Sequence, residues 1–251
     1  MPGLSVVIIT FNEEKNIARC LESVRHVADE IIIADSFSTD ATATIAAQYG
    51  ARVIEHPFEG YGQQKNFATA QATNDWILSL DADEALTPGL EKSILRVKVA
   101  PEASVYKMPR ITNYCGKWIR HCGWYPDHQA RLYDRTKGRW QELRVHEYWK
   151  PAASGQMGTL TGDLLHFSFS SISEHLKKID KYTELAAHEA VGKGKTASLL
   201  KIYFSPKWHF FTEYVLRFGF LDGFYGYMIC KLSAHQAFVK YSKIRLYSRN
   251  K

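Results

Sequence analysis

The chain has 251 residues, 45% of them hydrophobic, and a net charge of +6. That supplies a core for one large α/β domain plus an appendage and argues against a disordered chain. Cys20, Cys115, Cys122 and Cys230 show no paired CxxC spacing, which argues against a disulfide scaffold and makes Cys115, Cys122, His121 and His128 a loop framework rather than a zinc site.

The opening MPGLSVVIITFNEE enters a strand pattern at once, without the basic start and small-residue cleavage site of a secretory leader, so a cytoplasmic location is expected. LSVVIIT is a buried-strand run, NEEKNIARCLESVRHV has helical spacing with Ile17, Leu21 and Val24 on one face, and EIIIAD is a second buried strand. STDATATIAAQYG opens on capping residues and ends in glycine, ARVIEH is a third strand, GQQKNFATAQAT a helix and DWILSL a fourth strand. Strands alternating with helices predict a Rossmann-like, mostly parallel sheet flanked by helices, with ligands at the carboxyl ends of its strands.

Further along, ISEHLKKIDKYTELAAHEAVGKG is an amphipathic helix, and KWHFFTEYVLRFGFLDGFYGYMICKL is dense in Phe and Tyr. Glu213, Arg217 and Asp222 interrupt that stretch, so it is not a clean membrane span. From Lys201 onward nine Lys/Arg face only Glu213 and Asp222, a net +7 where the whole chain is +6. A basic, aromatic tail without a nucleic-acid motif favours an anionic membrane surface, with Lys240, Lys243, Arg245 and Arg249 toward the head groups. Packing of these helices back onto the rest of the chain is the alternative.

Three polar clusters fall at strand ends: Thr10 to Glu13, Asp35 to Asp40, and Asp81 to Glu84. No GxGxxG follows the first strand and no GxxxxGK[ST] occurs, so the glycine-rich phosphate cradles are missing. Carboxylates that hold a divalent cation against diphosphate oxygens are the other solution, and Asp81 and Asp83 are the right residue types. An isolated Asp-x-Asp is more often a solvated turn.

SVVIITFNEEKNIARCLESV, EIIIADSFSTDATATIA, GYGQQKNFA and WILSLDADE, in this order and spacing, resemble family 2 glycosyltransferases of the GT-A fold. GWYPDHQARLYDR, VHEYW and LDGFYGY resemble the subgroup that contains lipopolysaccharide-core β-1,4-glucosyltransferases. The resemblance implies roles residue by residue. Thr10, Asn12 and Glu13 lie on the loop that wraps the nucleotide, Asp35 matches the carboxylate that contacts uracil or its ribose, and Lys65 and Asn66 occupy the (R/K)N position beside the nucleotide. Asp81 matches the motif aspartate near the nucleotide sugar, and Asp83 the one that ligates Mg²⁺ or Mn²⁺. Asp40 reads as a helix N-cap, Glu84 as a supporting neighbour, and Lys65 equally well as a solvated helix lysine.

An inverting transfer needs a carboxylate to take the acceptor proton as its oxygen attacks the anomeric carbon opposite the departing diphosphate. Glu147 in LRVHEYW is favoured, because similar glycosyltransferases have an acidic base in this region; Asp127 in GWYPDHQARL is the runner-up, or a turn residue after Pro126. The commoner Glu-Asp pair of the family is His-Glu here. His166 is a second candidate metal ligand, against the reading of a satisfied core histidine. Trp124 and Tyr125 are candidates for stacking on acceptor sugars, and Arg131 and Arg144 for facing acceptor phosphate or carboxylate groups, with packing and surface salt bridges as the alternatives.

The expectation is a GT-A catalytic domain over residues 1–170, its nucleotide-sugar half 1–100 and acceptor half 101–170, followed by a helical region 171–251. It would move a hexose, glucose from UDP-glucose, to a lipopolysaccharide-core or related envelope acceptor anchored at the inner face of the cytoplasmic membrane. No nucleic-acid partner is expected, and the oligomeric state is open. A capsule or other envelope glycosyltransferase, a nucleotidyltransferase and a non-catalytic sugar-nucleotide-binding protein are the alternatives.

Overall fold

Seven consecutive residues, Leu4–Thr10, form the central strand β1, and all seven are buried. A strand covered on both faces has no polar side to show, which is why its sequence is a run rather than an alternation. The computed structural model describes residues 3–141, 148–152 and 156–249. After β1 come α1 (Ile17–Val24), β2 (Glu30–Asp35), α2 (Thr42–Gln48), β3 (Arg52–Glu55), α3 (Tyr61–Ala70) and β4 (Trp76–Asp81). Helix α1 buries Ile17, Cys20, Leu21 and Val24, an i, i+3, i+4, i+7 stripe, and each large aliphatic side chain so covered contributes about 1.5–3 kcal/mol.

These strands pair in parallel in the order β3-β2-β1-β4. The register sets Thr10 beside Asp35 and Ile9 beside Asp81, so three polar strand ends finish at one edge. The chain continues through β5 (Glu84–Leu86), α4 (Pro88–Val99), β6 (Val105–Tyr114), β7 (Lys117–Ile119), β8 (Asp127–Asp134), β9 (Gly138–Trp140), β10 (Trp149–Pro151), β11 (Met157–Thr159) and β12 (Leu164–Phe169). Strand β8 extends the sheet by pairing antiparallel to β4, β6 pairs antiparallel to β8, and β12 pairs antiparallel to β5. The fold is therefore the expected α/β class, a parallel Rossmann-like half continued by antiparallel strands.

Two compact units divide the chain: Met1–Arg110 with Asp127–Phe167, and Ile111–Pro126 with Ser168–Lys251. The expected single break at residue 170 differs from this, because Ile111–Pro126 belongs with the C-terminal helices. Those helices are α5 (Ile172–Gly192), α6 (Leu199–Phe211) and α7 (Gly223–Arg249). Buried Asp222 accepts the backbone N–H of Arg120 at 3.2 Å and of His121 at 2.8 Å, and Cys122 lies 3.6 Å from Cys230, sulfur to sulfur. Gly226 is required where α7 meets the preceding turn, since a Cβ there would fall 1.9 Å from the Gly219 carbonyl oxygen.

The basic end of α7 is partly used internally. Lys243 pairs with Asp180 and Glu184 at 2.8 Å each, and Arg245 donates to the Ala197 carbonyl at 3.0 Å. Lys243 and Arg245, expected to face lipid head groups, thus brace α7 against α5 and the segment before α6. No helix among the described residues is long and apolar enough to cross a membrane.

Candidate active site

The carboxyl ends of β1 and β2 carry two loops that zip together. Asn12, in the left-handed region at φ 54°, donates its N–H to Ser38 Oγ at 2.8 Å, and its Oδ1 accepts the Thr39 N–H at 2.8 Å. The Glu13 N–H donates to Thr42 Oγ1 at 2.8 Å, and the Glu13 carboxylate accepts from the Asn16 side chain at 2.8 Å. This exchange makes the expected long helix start late: residues 11–16 serve the loop, and α1 begins only at Ile17. Asp35 is buried at the end of β2, its two oxygens accepting the Ser38 N–H at 2.7 Å and hydroxyl at 2.5 Å. Asp40 sits one residue before the N-cap position and accepts the Thr42 N–H at 3.0 Å.

At the end of β4 the like charges raised by the sequence are neutralised. Arg131, on β8 and 2% exposed, donates through Nη2 to Asp81 Oδ2 at 2.6 Å and to Glu84 Oε1 at 2.7 Å. Lys65, on α3 and 1% exposed, approaches Asp81 Oδ1 at 3.3 Å and lies over the Trp140 ring at 4.7 Å. Lys65 is therefore a buried ion-pair partner rather than a solvated helix lysine. Burial alone would raise the Asp81 carboxyl, but Arg131 first and then Lys65 hold it far below the usual carboxylate range. Arg131 is raised in return, because Asp81 and Glu84 outweigh its desolvation.

Glu84 completes the turn. One oxygen accepts from Arg131 and, at 2.9 Å, from Arg110; the other accepts the Asp81 N–H at 3.0 Å. Arg110 also donates to Asp127 Oδ2 through Nε at 3.0 Å and Nη2 at 2.6 Å, while Gln129 donates to Asp127 Oδ1 at 2.8 Å. Arg131, expected to face an acceptor, instead holds two carboxylates from behind. Arg110 was not singled out from the sequence. Its signal is a cation inside a strand run whose partner strand starts with an aspartate.

Asp83 and His166, both expected as metal ligands, lie together, with His166 Nε2 3.3 Å from Asp83 Oδ2. Antiparallel pairing of β12 with β5 sets His166 opposite Glu84, and the Phe167 N–H donates to the Asp83 carbonyl at 2.9 Å, fixing the turn. Among the described residues no group of three or more His, Cys, Asp or Glu is gathered for a metal. One carboxylate and one imidazole still match how Mg²⁺ or Mn²⁺ is held at diphosphates, where substrate oxygens and water complete the shell. Asp81 Oδ1, buried and ion-paired with Lys65 at 3.3 Å, belongs to the same edge.

Asn66 faces elsewhere: its amide donates to the Trp140 carbonyl and accepts the Trp140 N–H, both at 3.0 Å. Thr10 Oγ1 is buried with no hydrogen-bond partner among the described residues. Phe37, 50% exposed at φ 61° beside these loops, is an aromatic surface that sequence reading passed over. Trp124 and Tyr125 lie in the other unit, where Trp124 packs with Tyr114, Phe169 and His175. Glu147 and Arg144 lie outside the described residues.

Residues 5–159 match the model of Glycosyl transferase family 2. The chain belongs to that family. This glycosyltransferase is 32% identical over 257 residues to the lipopolysaccharide core biosynthesis glycosyltransferase LpsC of Rhizobium meliloti, covering 96% of this chain and 91% of the other. It is 31% identical to a glycosyltransferase of Rickettsia typhi, with 100% and 90% covered. Among solved structures, glucosyl-3-phosphoglycerate synthase from Mycobacterium tuberculosis, in complex with Mn²⁺, UDP and glucosyl-3-phosphoglycerate, superposes at TM-score 0.43 and 22% identity over 54% of this chain and 57% of that one. As a family 2 glycosyltransferase the protein is an enzyme that transfers glycosyl groups.

Proposed function

We propose that this glycosyltransferase moves a hexose, glucose from UDP-glucose, with inversion, to a lipopolysaccharide-core or related envelope acceptor anchored in the membrane. The observation that carries the donor half is the meeting of Asp83 with His166 beside the ion-paired Asp81, at the carboxyl end of the parallel strands. The acceptor class is supported by the full-length similarity to a core-biosynthesis glycosyltransferase.

Thr10, Asn12 and Glu13 would border the nucleotide, with Asp35 holding the facing loop through Ser38. Asp83 and His166 would hold a divalent cation, which supplies positive charge to the leaving diphosphate. Lys65 and Arg131 keep Asp81 ionised and fixed where the donor sugar would sit. The acceptor oxygen forms the new bond to the anomeric carbon as the bond to the diphosphate oxygen breaks, and the acceptor proton passes to a carboxylate. Both Asp127 oxygens already accept hydrogen bonds from Arg110 and Gln129, which supports Glu147 as the base. Trp124, Tyr125 and Arg144 remain candidate acceptor contacts.

The test is a screen of sugar nucleotides against lipopolysaccharide-core acceptors, read by mass spectrometry. Nucleoside diphosphate released in step with glycosylated acceptor is the expected result. Pyrophosphate as the product would replace the proposal with nucleotidyl transfer, and donor binding without product on any acceptor would leave a sugar-nucleotide-binding protein.

A further inference from the structure

Helix α6 reads LLKIYFSPKWHFF, yet none of its 13 residues is fully buried. Leu199, Leu200, Tyr203, Phe204 and Trp208 are 57 to 70% exposed, and their spacing spreads them over about half of the helix circumference. Leu216, Phe218, Leu221 and Phe224 at the turn into α7 are exposed as well. So many exposed large apolar side chains on one helix and the turn after it mark an interaction site rather than scattered exposure.

The charged side chains of α6 and α7 have one sign. Exposed Lys207 lays its ammonium 3.8 Å from the centre of the Tyr203 ring, and Lys231 lies 5.0 Å from that of Phe210, the posture of lysines whose stems follow an apolar surface. The carboxylates of α6, α7 and the turn between them are Glu213 and Asp222. Asp222 is buried and accepts backbone N–H groups from Arg120 and His121, while Glu213 Oε2 is shut from solvent. Between α6 and α7 runs a groove of about 660 Å³, lined by Leu200, Tyr203, Phe238 and Ala234 with Lys207 and Lys231 among its walls.

We propose that α6 and the turn after it are a docking face for an anionic lipid bilayer. The helix lies in the interface plane with Leu199, Leu200, Tyr203, Phe204 and Trp208 entering the acyl boundary, Lys207 and Lys231 meet lipid phosphates, and the groove takes an acyl chain. Lys207 and Lys231, on helices that carry no carboxylate of their own, favour anionic lipid over a second copy of the same cationic face. The proposal deepens the reading of a membrane-anchored acceptor and rests on it for its biological purpose. The aromatic middle of the tail is where the sequence also placed apolar insertion, whereas Lys243 and Arg245, expected at the head groups, are engaged inside the fold.

The experiment is co-sedimentation of the full chain with vesicles of phosphatidylcholine alone or mixed with phosphatidylglycerol. Wild type partitions onto the mixed vesicles. Phe204→Glu with Trp208→Glu lowers the partition coefficient roughly tenfold or more, and Lys207→Gln with Lys231→Gln weakens binding and flattens its salt dependence. Both pairs are surface changes, so circular dichroism and transfer to a water-soluble, lipid-free acceptor stay at wild-type levels. Undiminished capture of the glutamate pair overturns the proposal. So does light scattering that shows a wild-type dimer, broken by the glutamate pair, with no vesicle binding. Sedimentation needs no sugar donor or acceptor, so failure to find a transferred sugar bears on the proposed function alone.

Discussion

Replacing Arg131 by methionine removes the cation that Asp81 and Glu84 share at 2.6 and 2.7 Å and leaves two carboxylates facing each other at the end of β4. Removing one partner of a buried pair costs about 3–5 kcal/mol, because the remaining charge stays desolvated. Lys65 still approaches Asp81 at 3.3 Å and Arg110 still holds Glu84 at 2.9 Å, so the low end applies, about 3 kcal/mol. For a chain of this size that corresponds to a drop in melting temperature of about 6–12 °C. Urea unfolding followed by circular dichroism measures it directly. Asp81→Asn alone destabilises, but in the Arg131→Met background it restores part of the loss, since it removes the charge that lost its partner. The Asp81 carboxyl is held far below its unfolded value, so its contribution is complete at neutral pH and disappears only in strong acid. Without Arg131 that depression is smaller, so the deficit of the variant is constant down to about pH 4 and shrinks only in stronger acid, as Asp81 of the variant takes up its proton. A loss under about 1 kcal/mol, or strict additivity with Asp81→Asn, would refute this account of the buried cluster.

Three further outcomes follow from the geometry. Asp83→Ala abolishes the metal dependence of UDP affinity in calorimetry while unfolding midpoints stay near wild type; unchanged metal-dependent affinity rules Asp83 out as a ligand. Glu147→Gln keeps donor affinity and loses turnover by roughly 10²-fold or more, whereas Asp127→Asn chiefly loosens Arg110; near-normal turnover in the first with an inactive second moves the base to Asp127. Burial, with a smaller push from Lys178, lowers His175 to about 4, and its Nδ1 lies 3.1 Å from the Tyr114 hydroxyl. Because the unfolded chain takes up that proton at higher pH than the folded one, stability falls as pH drops from about 6.5 toward 4, and His175→Phe flattens this acid limb in melting curves.

Much of the nucleotide half was legible because its strands are covered on both faces, and a covered strand declares itself as an unbroken apolar run. The three polar strand ends were legible for the same reason, since charge appears abruptly where such a run stops. Helix α1 was read too long because NEEKN is compatible with a helix by composition; only the exchange of hydrogen bonds between residues 12–13 and 38–42 claims it for a loop. Arg131 looked like a surface or ligand-facing cation because a carboxylate 50 residues away is invisible to local pattern. The unit boundary was hidden similarly, since Asp222 holds backbone groups about 100 residues earlier in the chain. Thus what sequence periodicity resolves is which residues are covered, while pairing between distant charges needs the fold.

Lys65 and Asn66 are consecutive on α3, yet one grips Asp81 and the other clasps the backbone of Trp140 on β9. Beside Trp140, which pairs with Trp149 across β9 and β10, the Gln141 N–H donates to the Tyr148 carbonyl at 3.0 Å. Adjacent helix positions differ by about 1.5 Å of rise and roughly 100° of rotation, a relation no thermal motion alters while the helix stands. The helix therefore acts as a calliper. One jaw is set on Asp81 at the end of β4, the other on the backbone of Trp140 on β9, so the spacing between those two strands is gauged by a single peptide step. A one-residue insertion between Lys65 and Asn66 would leave each contact chemically available and still ruin the gauge.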